Sequence, residues 1–408
     1  MLINFRFNKP LLVIYLLSAY TIVLVIRSVF FSNKSTPTTI PIFPEKLVKF
    51  SPKSLPKTSD SLSNLSNDFI KQNILQNQAK NASIIYFNRV PKCASTTMIL
   101  LMQNLKNKNR FDSDFAMKID IEPGWRHYLD SEREYSEFFD RLAEIYKSER
   151  EVQNNNARYL LYIRHLHFVN FDQILDENHM KTQNTMIDNY PLIKNSNIKY
   201  FNIIRNPIDQ YISTYYFQRH GFEGKAYAPE WLIDKSSRNF TKKETQQTIS
   251  ECIKNKAPEC INIYSDMIPY FCGNYEFCRH RNRKALELAK NNILHHFTFV
   301  GILEEFDKTL FLLEKLVPEV FLVKNNINAN HDSLKNQNIN NLKDFYHSQH
   351  FQDVLNNAQS SKTADKPVKE PEWVREYLRE KLQVEMELYE FVRELLFKKY
   401  QVFVDYQL

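Results

Sequence analysis

The most chemically suggestive stretch of the sequence is a basic turn that follows an apolar run near residue 85. The run SIIYF at 83–87 continues into NRVPKCASTT, in which a lysine precedes three hydroxyl side chains. Unpaired amides in the first turn of a helix, together with the positive end of its dipole, favour a bound anion. A lysine adds a mobile charge, and hydroxyls add hydrogen-bond donors. The turn therefore predicts a phosphate-binding loop that uses Lys92, Ser95, Thr96 and Thr97.

The same turn has a plainer interpretation, a surface strand-turn-helix with an incidental lysine. The two glycines that precede Lys-Ser/Thr in nucleotide triphosphatases are absent. The loop alone does not decide between a phosphate site and an ordinary turn.

A second candidate anion site follows the run YFNII at 200–204. Arg205 stands at the end of this predicted strand, and Ser213 lies eight residues further on, in a segment that predicts the next helix. A guanidinium can bind a phosphate with two hydrogen bonds, and a serine can donate another. An arginine paired with a surface carboxylate is the alternative. Two strand-end phosphate sites in one α/β domain indicate a nucleotide that carries phosphate at two positions.

Two histidines lie between these turns in the sequence. His165 and His167 fall in the run YLLYIRHLHF at 159–168, which predicts a strand, and strand residues two apart share a face. A lone buried histidine is most often structural. A pair beside two anion sites is a better candidate for a general base, because imidazole titrates near neutral pH. A metal site would need a third ligand, and none is obvious in the sequence.

These residues need an α/β framework to bring them together. Short β-rich apolar runs alternate with helix-periodic segments, a pattern typical of an α/β domain with a central, mainly parallel sheet and flanking helices. Apolar residues at helical spacing after Pro371 predict one long C-terminal helix that ends at Tyr400. The predicted strands lie at 83–87, 159–168, 200–204 and 298–302, and FDKTLFLLEKL follows the last as a predicted helix.

The composition is that of a globular protein with an anionic partner. The chain has 408 residues, 43% of them apolar and 25% charged, which allows a full hydrophobic core. A formal charge of +7 favours an anionic partner. The sequence contains no arginine-rich arm or nucleic-acid motif, so nucleic acid is a poor candidate.

The N-terminal region predicts a membrane anchor. Residues 11–26 are uncharged and apolar, with basic residues on both sides. A cleaved signal peptide is the alternative, but no small-residue cleavage site follows the apolar core. Basic residues ahead of such a span stay cytoplasmic. We therefore expect a cytoplasmic tail at 1–10, a transmembrane signal anchor at 11–31, a flexible luminal stem at 32–80 and a folded domain at 81–408.

A luminal location gives meaning to the sequons and the cysteines. Predicted glycosylation sites of the form Asn-x-Ser/Thr begin at Asn33, Asn64, Asn81 and Asn239. Four further residues, Cys252, Cys260, Cys272 and Cys278, cluster within 27 positions. In an oxidising lumen they favour two disulfides, and nearest-neighbour pairing is the simplest of the three possible connectivities. A zinc site suits them less, because the usual C-x2-4-C pairs are absent.

Several motifs in order resemble one family. NRVPKCASTT, RHLHFVNF, IIRNPIDQYISTYYF, PECINIYSDMIPYFCGNYEFC and VGILEEFD are similar to motifs of the Golgi uronyl 2-O-sulfotransferases and their relatives, the heparan sulfate 2-O-sulfotransferases. The similarity covers roughly residues 83–405. Cys93 and the R-H-x-H-F-x-N-F run look closer to the dermatan and chondroitin branch, whereas Pro91 and Thr96 look closer to the heparan branch.

This resemblance implies a sulfotransferase domain that uses 3'-phosphoadenosine 5'-phosphosulfate as donor and needs no metal. Lys92 and the three hydroxyls after it would hold the 5'-phosphosulfate. Arg205 and Ser213 would hold the 3'-phosphate. His167 matches the catalytic base, and His165 matches its partner in the H-x-H pair.

The resemblance also implies an acceptor and an assembly. Arg89 and Arg219 become candidates for binding the carboxylates and sulfates of a glycosaminoglycan. Dermatan or chondroitin sulfate is the expected acceptor, with heparan sulfate as the alternative. The family further implies the two neighbouring disulfides, a homotrimer and a Golgi membrane location with the catalytic domain in the lumen.

Three positions depart from the family pattern. Ala94 stands where the phosphate loop usually has Gly, and would be strained if the loop needs a positive φ. Asn206 and Gln210 replace the Asp and the Arg of Arg-Asp-Pro-x-x-Arg, so that the two lost charges cancel. These changes leave open a catalytically inactive glycosaminoglycan-binding protein as a further alternative.

Overall fold

A five-stranded parallel sheet organises the domain. Its strands are β1 (Ile84–Phe87), β2 (Phe115–Ile119), β3 (Tyr159–Ile163), β4 (Ile198–Ile204) and β5 (Phe297–Ile302), in the spatial order β2-β3-β1-β4-β5. Strands β1, β4 and β5 are buried along their whole length. Sheets covered on both faces need apolar residues on both, which explains the continuous apolar runs in the sequence. The predicted parallel α/β architecture is confirmed; β2 was not predicted from the sequence.

The structure, a computed structural model, describes residues 65–80, 82–108, 115–119, 128–129, 131–152, 159–171, 197–220, 241–263, 265, 267–280, 282–323, 339–358 and 369–408. Contacts divide the chain into two units, Met1–Leu47 and Val48–Leu408, and every described residue belongs to the second. The predicted anchor and the sequons at Asn33, Asn64, Asn81 and Asn239 lie outside the described residues. No helix in the described ranges has both the length and the apolar character that a membrane crossing requires.

Helices cover the sheet and extend beyond it. The described helices are α1 (Asn67–Ala79), α2 (Ser95–Lys108), α3 (Glu132–Val152), α4 (Pro207–His220), α5 (Lys242–Thr245), α6 (Ile249–Lys254), α7 (Pro258–Ile261), α8 (Pro269–Cys272), α9 (Arg283–His295), α10 (Phe306–Leu316), α11 (Pro318–Phe321), α12 (Leu342–His347), α13 (Gln349–Asn357), α14 (Glu372–Lys381) and α15 (Gln383–Tyr406). The helices predicted after β1 and β5 correspond to α2 and α10.

The folded domain begins earlier than the sequence predicted. Residues 67–79 were expected to belong to the flexible stem, but they form α1, with Ser66 as its N-cap. Ile70 and Ile74 of this helix are buried in the main core. The surrounding Asn and Gln residues hide this pattern in the sequence, because two buried isoleucines four apart are a weak periodic signal.

The predicted single C-terminal helix is two helices, α14 and α15, separated at Leu382. Leu382 has φ −107° and ψ 25°, which interrupts regular helix geometry. The interruption serves packing: Leu378 and Leu382 enter a second cluster of buried side chains, whereas Leu388 enters the main core. The periodicity in the sequence continues across the break, and so a single helix was predicted.

The second cluster packs on α4, away from the sheet. Its buried members are Ile208, Tyr211, Ile212, Tyr215, Tyr216, Ile249, Cys252, Cys260, Ile263, Val374, Leu378 and Leu382. A disulfide joins Cys252 to Cys260 within this cluster, and a second joins Cys272 to Cys278 within the main core. These are the nearest-neighbour pairs. The helix that follows β4 is therefore anchored on the side remote from its strand.

A buried ion pair holds the beginning of β4. Lys199 Nζ lies 2.6 Å from Glu319 Oε1 of α11 and donates to the carbonyl of Leu316 at 3.4 Å. The Lys199 side chain is 1% exposed, so that its ammonium group depends on these partners for solvation.

We expect Lys199→Met to lower the midpoint of thermal unfolding strongly, because it leaves the Glu319 carboxylate buried without its cation. Breaking one side of a buried pair costs about 3–5 kcal/mol. The double variant Lys199→Met with Glu319→Leu should recover much of this loss. Lys308→Met, which removes the more exposed pair with Glu305, is the control and should change stability by less than about 1 kcal/mol. A double variant no more stable than Lys199→Met would contradict this account.

Candidate active site

The carboxyl ends of β1 and β4 bring the two predicted anion turns together. The strands are parallel neighbours in which Phe87 lies opposite Phe201, and the two rings stack with centroids 4.7 Å apart. Parallel strands end at the same edge of a sheet. The loop at 88–94 and Arg205 therefore leave the sheet side by side.

A hydrogen bond connects these turns directly. The side chain of Gln210, in the first turns of α4, donates through Nε2 to the carbonyl of Pro91 at 3.0 Å. This bond holds the start of α4, and with it the turn at Arg205, against the first loop.

The first loop is sharply curved. Lys92 and Ala94 have φ values of 60° and 63°, in the left-handed region that L-residues seldom adopt. The strain foreseen for Ala94 is therefore present, at a cost of about 1–2 kcal/mol. Helix α2 begins immediately afterwards at Ser95, whose hydroxyl donates to the carbonyl of Val90 at 3.2 Å. Thr96 is exposed, so its hydroxyl is available to a ligand.

The Lys92 side chain extends toward α4. Its ammonium nitrogen lies 3.5 Å from the centre of the Phe217 ring, a cation–π contact. Lys92 itself is half-buried, and Thr97 and Ser213 are half-buried as well. The contact holds the positive charge between α2 and α4, the two helices that start at the anion turns.

The second turn is an N-capped helix start. The Asn206 side chain accepts from the amide of Ile208 at 3.0 Å, and the Asn206 amide donates to Glu304 Oε1 at 2.9 Å. Glu304 also accepts from Tyr389 Oη at 3.2 Å. Asn206 can thus cap α4 without the negative charge of the Asp that the family usually has there.

Gln210 has a structural reason to differ from the usual arginine. It is 2% exposed and, besides donating to Pro91, accepts from Ser265 Oγ at 2.6 Å. An amide can donate and accept at once, whereas a guanidinium can only donate. The neutral side chain therefore links the phosphate loop to the segment at 265 without burying a charge.

Cys93 is buried and is not part of a disulfide. Burial raises the pKa of its thiol, against the smaller opposing effect of nearby Arg205. Because the thiolate is the nucleophilic form of cysteine, this residue is a packing and hydrogen-bonding group and not a nucleophile.

The two histidines lie beyond the strand on which they were predicted. Strand β3 ends at Ile163, opposite Phe87, because β1 offers no ladder beyond that point. The amide of Arg164 still donates to the Phe87 carbonyl at 3.2 Å, which keeps the following segment close to the loop after β1. The prediction that the histidines lie on a strand is therefore wrong, and their catalytic role stays a prediction.

His165 and His167 differ in environment. His165 Nδ1 lies 2.8 Å from the Arg89 carbonyl oxygen and is partly exposed. His167 is 4% exposed, and its ring packs edge-to-face on Tyr270 with centroids 5.4 Å apart and near Tyr128 at 6.0 Å. The imidazole of His167 thus lies against two tyrosine rings, and His165 is the more accessible of the two histidines.

The two arginines predicted to bind the acceptor lie in different parts of the structure and have different contacts. Arg89 lies in the loop at 88–94, where burial lowers the pKa of its guanidinium, although arginine remains charged in proteins. Arg219 is in the last turn of α4 and forms an ion pair with Glu259 at 3.0 Å. It also donates to the Glu244 carbonyl and lies over the Tyr215 ring. The structure therefore places Arg89 with the predicted site and Arg219 against the second cluster, where it contacts the member Tyr215.

Sequence reasoning missed two buried asparagines at this edge of the sheet. Asn202 donates through Nδ2 to the Asn88 carbonyl at 2.6 Å, and Asn88 donates to the Tyr270 carbonyl at 2.8 Å. The available signal was the tripeptide Tyr-Phe-Asn, which occurs at the end of β1, at 86–88, and again inside β4, at 200–202.

No group of three or more His, Cys, Asp or Glu residues in the described part of the chain could hold a metal ion.

A parallel sheet with two basic turns at the ends of adjacent strands is typical of α/β proteins that bind nucleotides. Residues 78–392 match the sequence model of the sulfotransferase family, and the chain belongs to this family.

Curated relatives include glycosaminoglycan sulfotransferases. Human uronyl 2-sulfotransferase is 30% identical over 246 residues, which cover 59% of this chain and 49% of that protein. The Drosophila melanogaster heparin sulfate O-sulfotransferase is 26% identical over 242 residues, 58% of this chain and 57% of that protein. A heparan sulfate 2-O-sulfotransferase of Caenorhabditis elegans is 34% identical over 124 residues, 30% of this chain and 35% of that protein. The chain spans about half the length of the curated relatives it matches.

The left-handed conformation of Ala94 predicts that Ala94→Gly raises the midpoint of thermal unfolding. Glycine adopts this φ without a Cβ clash. Its unfolded state has more conformational entropy, which offsets part of this gain, so the free energy of unfolding should rise by about 0.5–1 kcal/mol. Ala94→Val should have the opposite effect. Ala289→Gly, inside α9, is the matched control and should lower stability by about 1 kcal/mol. Equal losses in Ala94→Gly and Ala289→Gly would exclude strain at residue 94.

Proposed function

We propose that the protein transfers a sulfuryl group from 3'-phosphoadenosine 5'-phosphosulfate to the 2-hydroxyl of uronic acid residues in a glycosaminoglycan, with dermatan or chondroitin sulfate as acceptor. The hydrogen bond from Gln210 to Pro91 carries the proposal, because it joins two anion turns at neighbouring strand ends in a sulfotransferase-family chain. A donor with phosphates at both ends of its nucleoside matches two such turns.

The donor would lie with one end at each turn. Lys92, the hydroxyls of Ser95, Thr96 and Thr97, and the first amides of α2 would hold the 5'-phosphosulfate. Arg205 and Ser213 would hold the 3'-phosphate. With Asn206 and Gln210 both neutral, the 3'-phosphate depends chiefly on the charge of Arg205.

His167 would act as the general base. It accepts the proton of the uronyl 2-hydroxyl while that oxygen forms a bond to sulfur; the sulfur–oxygen bond to the 5'-phosphate breaks, and the electron pair leaves with the phosphate. Lys92 and the α2 amides stabilise the charge that grows on this phosphate. The products are a sulfate ester and adenosine 3',5'-bisphosphate.

His165 and Arg89 would organise the acceptor side of the site. The contact of His165 Nδ1 with the Arg89 carbonyl sets the ring direction of His165 and ties its segment to the phosphate loop. The Arg89 guanidinium would bind an acceptor carboxylate or sulfate. Arg219 would act only indirectly, by holding α4 against the second cluster.

The choice of acceptor rests on the relatives. The match to human uronyl 2-sulfotransferase has 30% identity over 246 residues, against 26% over 242 residues for the Drosophila heparin sulfate enzyme and 34% over only 124 residues for the Caenorhabditis elegans heparan sulfate enzyme. The longer match supports transfer to a uronyl residue, and the resemblance of Cys93 and the R-H-x-H-F-x-N-F run to the dermatan and chondroitin branch supports that acceptor. We also propose that 11–31 anchors the protein in the Golgi membrane, that the domain is luminal and N-glycosylated, and that it forms a homotrimer.

An acceptor panel tests the reaction. We expect purified full-length protein, given labelled donor, to sulfate dermatan and chondroitin sulfate on the uronic acid 2-position, as determined by disaccharide analysis. N-sulfated heparosan is the comparison acceptor, and preferential labelling of it would favour the heparan alternative. Sulfate found only on hexosamine would contradict uronyl transfer. Polysaccharide binding without any transfer would favour the inactive binding protein.

Replacement of the proposed base separates chemistry from donor binding. We expect His167→Ala to abolish transfer, because no other group would accept the hydroxyl proton, while retention on an adenosine 3',5'-bisphosphate resin is unchanged. His295→Ala is the matched control, since His295 is exposed and lies in the last turn of α9, just before β5 begins and therefore at the opposite end of that strand. Normal turnover by His167→Ala would exclude His167 as the base.

A further inference from the structure

We propose that Asn88 and Asn202 are positioning residues that hold the donor turns and the proposed base in one fixed geometry. The inference deepens the proposed function and rests on it. Neither residue would touch donor or acceptor in this account. Both would act through the backbone groups that their side-chain amides bind.

The two asparagines occupy equivalent places on neighbouring strands. Tyr86 pairs with Tyr200 and Phe87 with Phe201, so that the repeated Tyr-Phe-Asn tripeptide lies in register across β1 and β4. Asn88 and Asn202 follow as the next cross-strand pair, and both are 0% exposed. They lie at the level where β1 gives way to the phosphate loop.

Asn202 joins its strand to the start of that loop. Its Nδ2 donates to the Asn88 carbonyl at 2.6 Å and to Asn88 Oδ1 at 3.1 Å. Its Oδ1 accepts from the amide of Ile203 at 2.8 Å and, in a longer contact of 3.5 Å, from the amide of Val90. Since Val90 also accepts from Ser95 Oγ, the Asn202 side chain reaches the backbone that sets the first turn of α2.

Asn88 joins the same point to the histidine pocket. Its Nδ2 donates to the Tyr270 carbonyl at 2.8 Å, and the Tyr270 ring packs on His167. The segment that contains Tyr270 has a second contact with the histidine region, since Asn274 Nδ2 donates to the Phe168 carbonyl at 3.1 Å. Asn88 thereby links the phosphate loop to the wall of the proposed base.

The energetics favour a geometric role for this pair. A buried amide that loses its partner costs about 1–3 kcal/mol, whereas replacing both partners by apolar groups of similar shape can be nearly neutral. Two apolar side chains in place of Asn88 and Asn202 would therefore give the sheet about the same stability. Buried polar networks whose members are all satisfied impose one arrangement on the groups they join. At this site, the groups joined are the donor loop, the strand that leads to Arg205, and the neighbour of His167.

Alanine variants test the role through kinetics. We expect Asn88→Ala and Asn202→Ala to lower kcat by about 10- to 100-fold, the usual effect of displacing reacting groups by about 1 Å, while the KM for the glycosaminoglycan stays unchanged. Thr309→Val is the control for lost stability, since Thr309 is also 0% exposed and bonds both backbone groups of Ile302. If Thr309→Val lowers kcat as much at an equal loss of thermal stability, the positioning role is contradicted.

Asn88→Asp isolates the link to Tyr270. The new carboxyl keeps an oxygen that can accept from Asn202, but only its protonated form can donate to the Tyr270 carbonyl. The kcat of this variant relative to the wild type should therefore fall as pH rises through the titration of the new carboxyl. A ratio that does not change with pH would contradict the link, and this variant remains informative if Asn88→Ala fails to fold.

Two measurements that do not depend on catalytic activity separate this inference from the proposed function. In spectra of protein labelled with 13C-histidine, assigned with His167→Ala, the His167 signal should shift in Asn88→Asp and stay in place in Thr309→Val. Adenosine 3',5'-bisphosphate should also bind more weakly to Asn202→Ala than to Thr309→Val. A wild type without transferase activity would refute the proposed function, and these two measurements would still support or contradict the positioning role.

Discussion

The parallel pairing of β1 with β4 is the constraint on which the rest of the site depends. With Phe87 opposite Phe201, the loop at 88–94 and Arg205 must leave the sheet at the same edge and at the same height. A shift of register by one residue would turn buried side chains to the other face and separate the two turns. The stacked phenylalanines and the asparagine pair beyond them both oppose such a shift. The separation of the two anion turns is therefore a property of the sheet and not of the loops alone.

The second turn has fewer charged side chains than the family pattern. Asn206 and Gln210 replace a charged pair, and the structure gives each a neutral function, capping α4 and tying Pro91 to Ser265. Arg89, Lys92 and Arg205 then remain as the cations of the two turns. Ala94 adds a strained backbone at the centre of the loop. Strain of this kind persists where surrounding contacts define the conformation, and here the Gln210 amide and the Ser95 hydroxyl supply them through the carbonyls of Pro91 and Val90.

Local signals in the sequence were enough to predict four of the five described strands and the two basic turns, but not β2. SIIYF, YFNII and TFVGI are apolar on both faces, and the hydroxyl-rich turn before α2 has a recognisable chemistry. Features set by distant partners were not predictable in this way. The end of β3 depends on where β1 stops, the break at Leu382 depends on two separate cores, and burial of Arg219 depends on Glu259. The asparagine pair was partly predictable. The repeated Tyr-Phe-Asn tripeptide is visible in the sequence, but the contact between the two asparagines follows only from the register of β1 and β4.

The central claim is that the two turns hold opposite ends of one donor. Isothermal titration with adenosine 3',5'-bisphosphate and adenosine 5'-monophosphate tests it most directly, with wild type, Lys92→Ala and Arg205→Ala compared side by side. The account predicts one bisphosphate per chain, with Lys92→Ala weakening both nucleotides and Arg205→Ala weakening only the bisphosphate. Equal weakening of both nucleotides by Arg205→Ala, or two independent sites per chain, would contradict it.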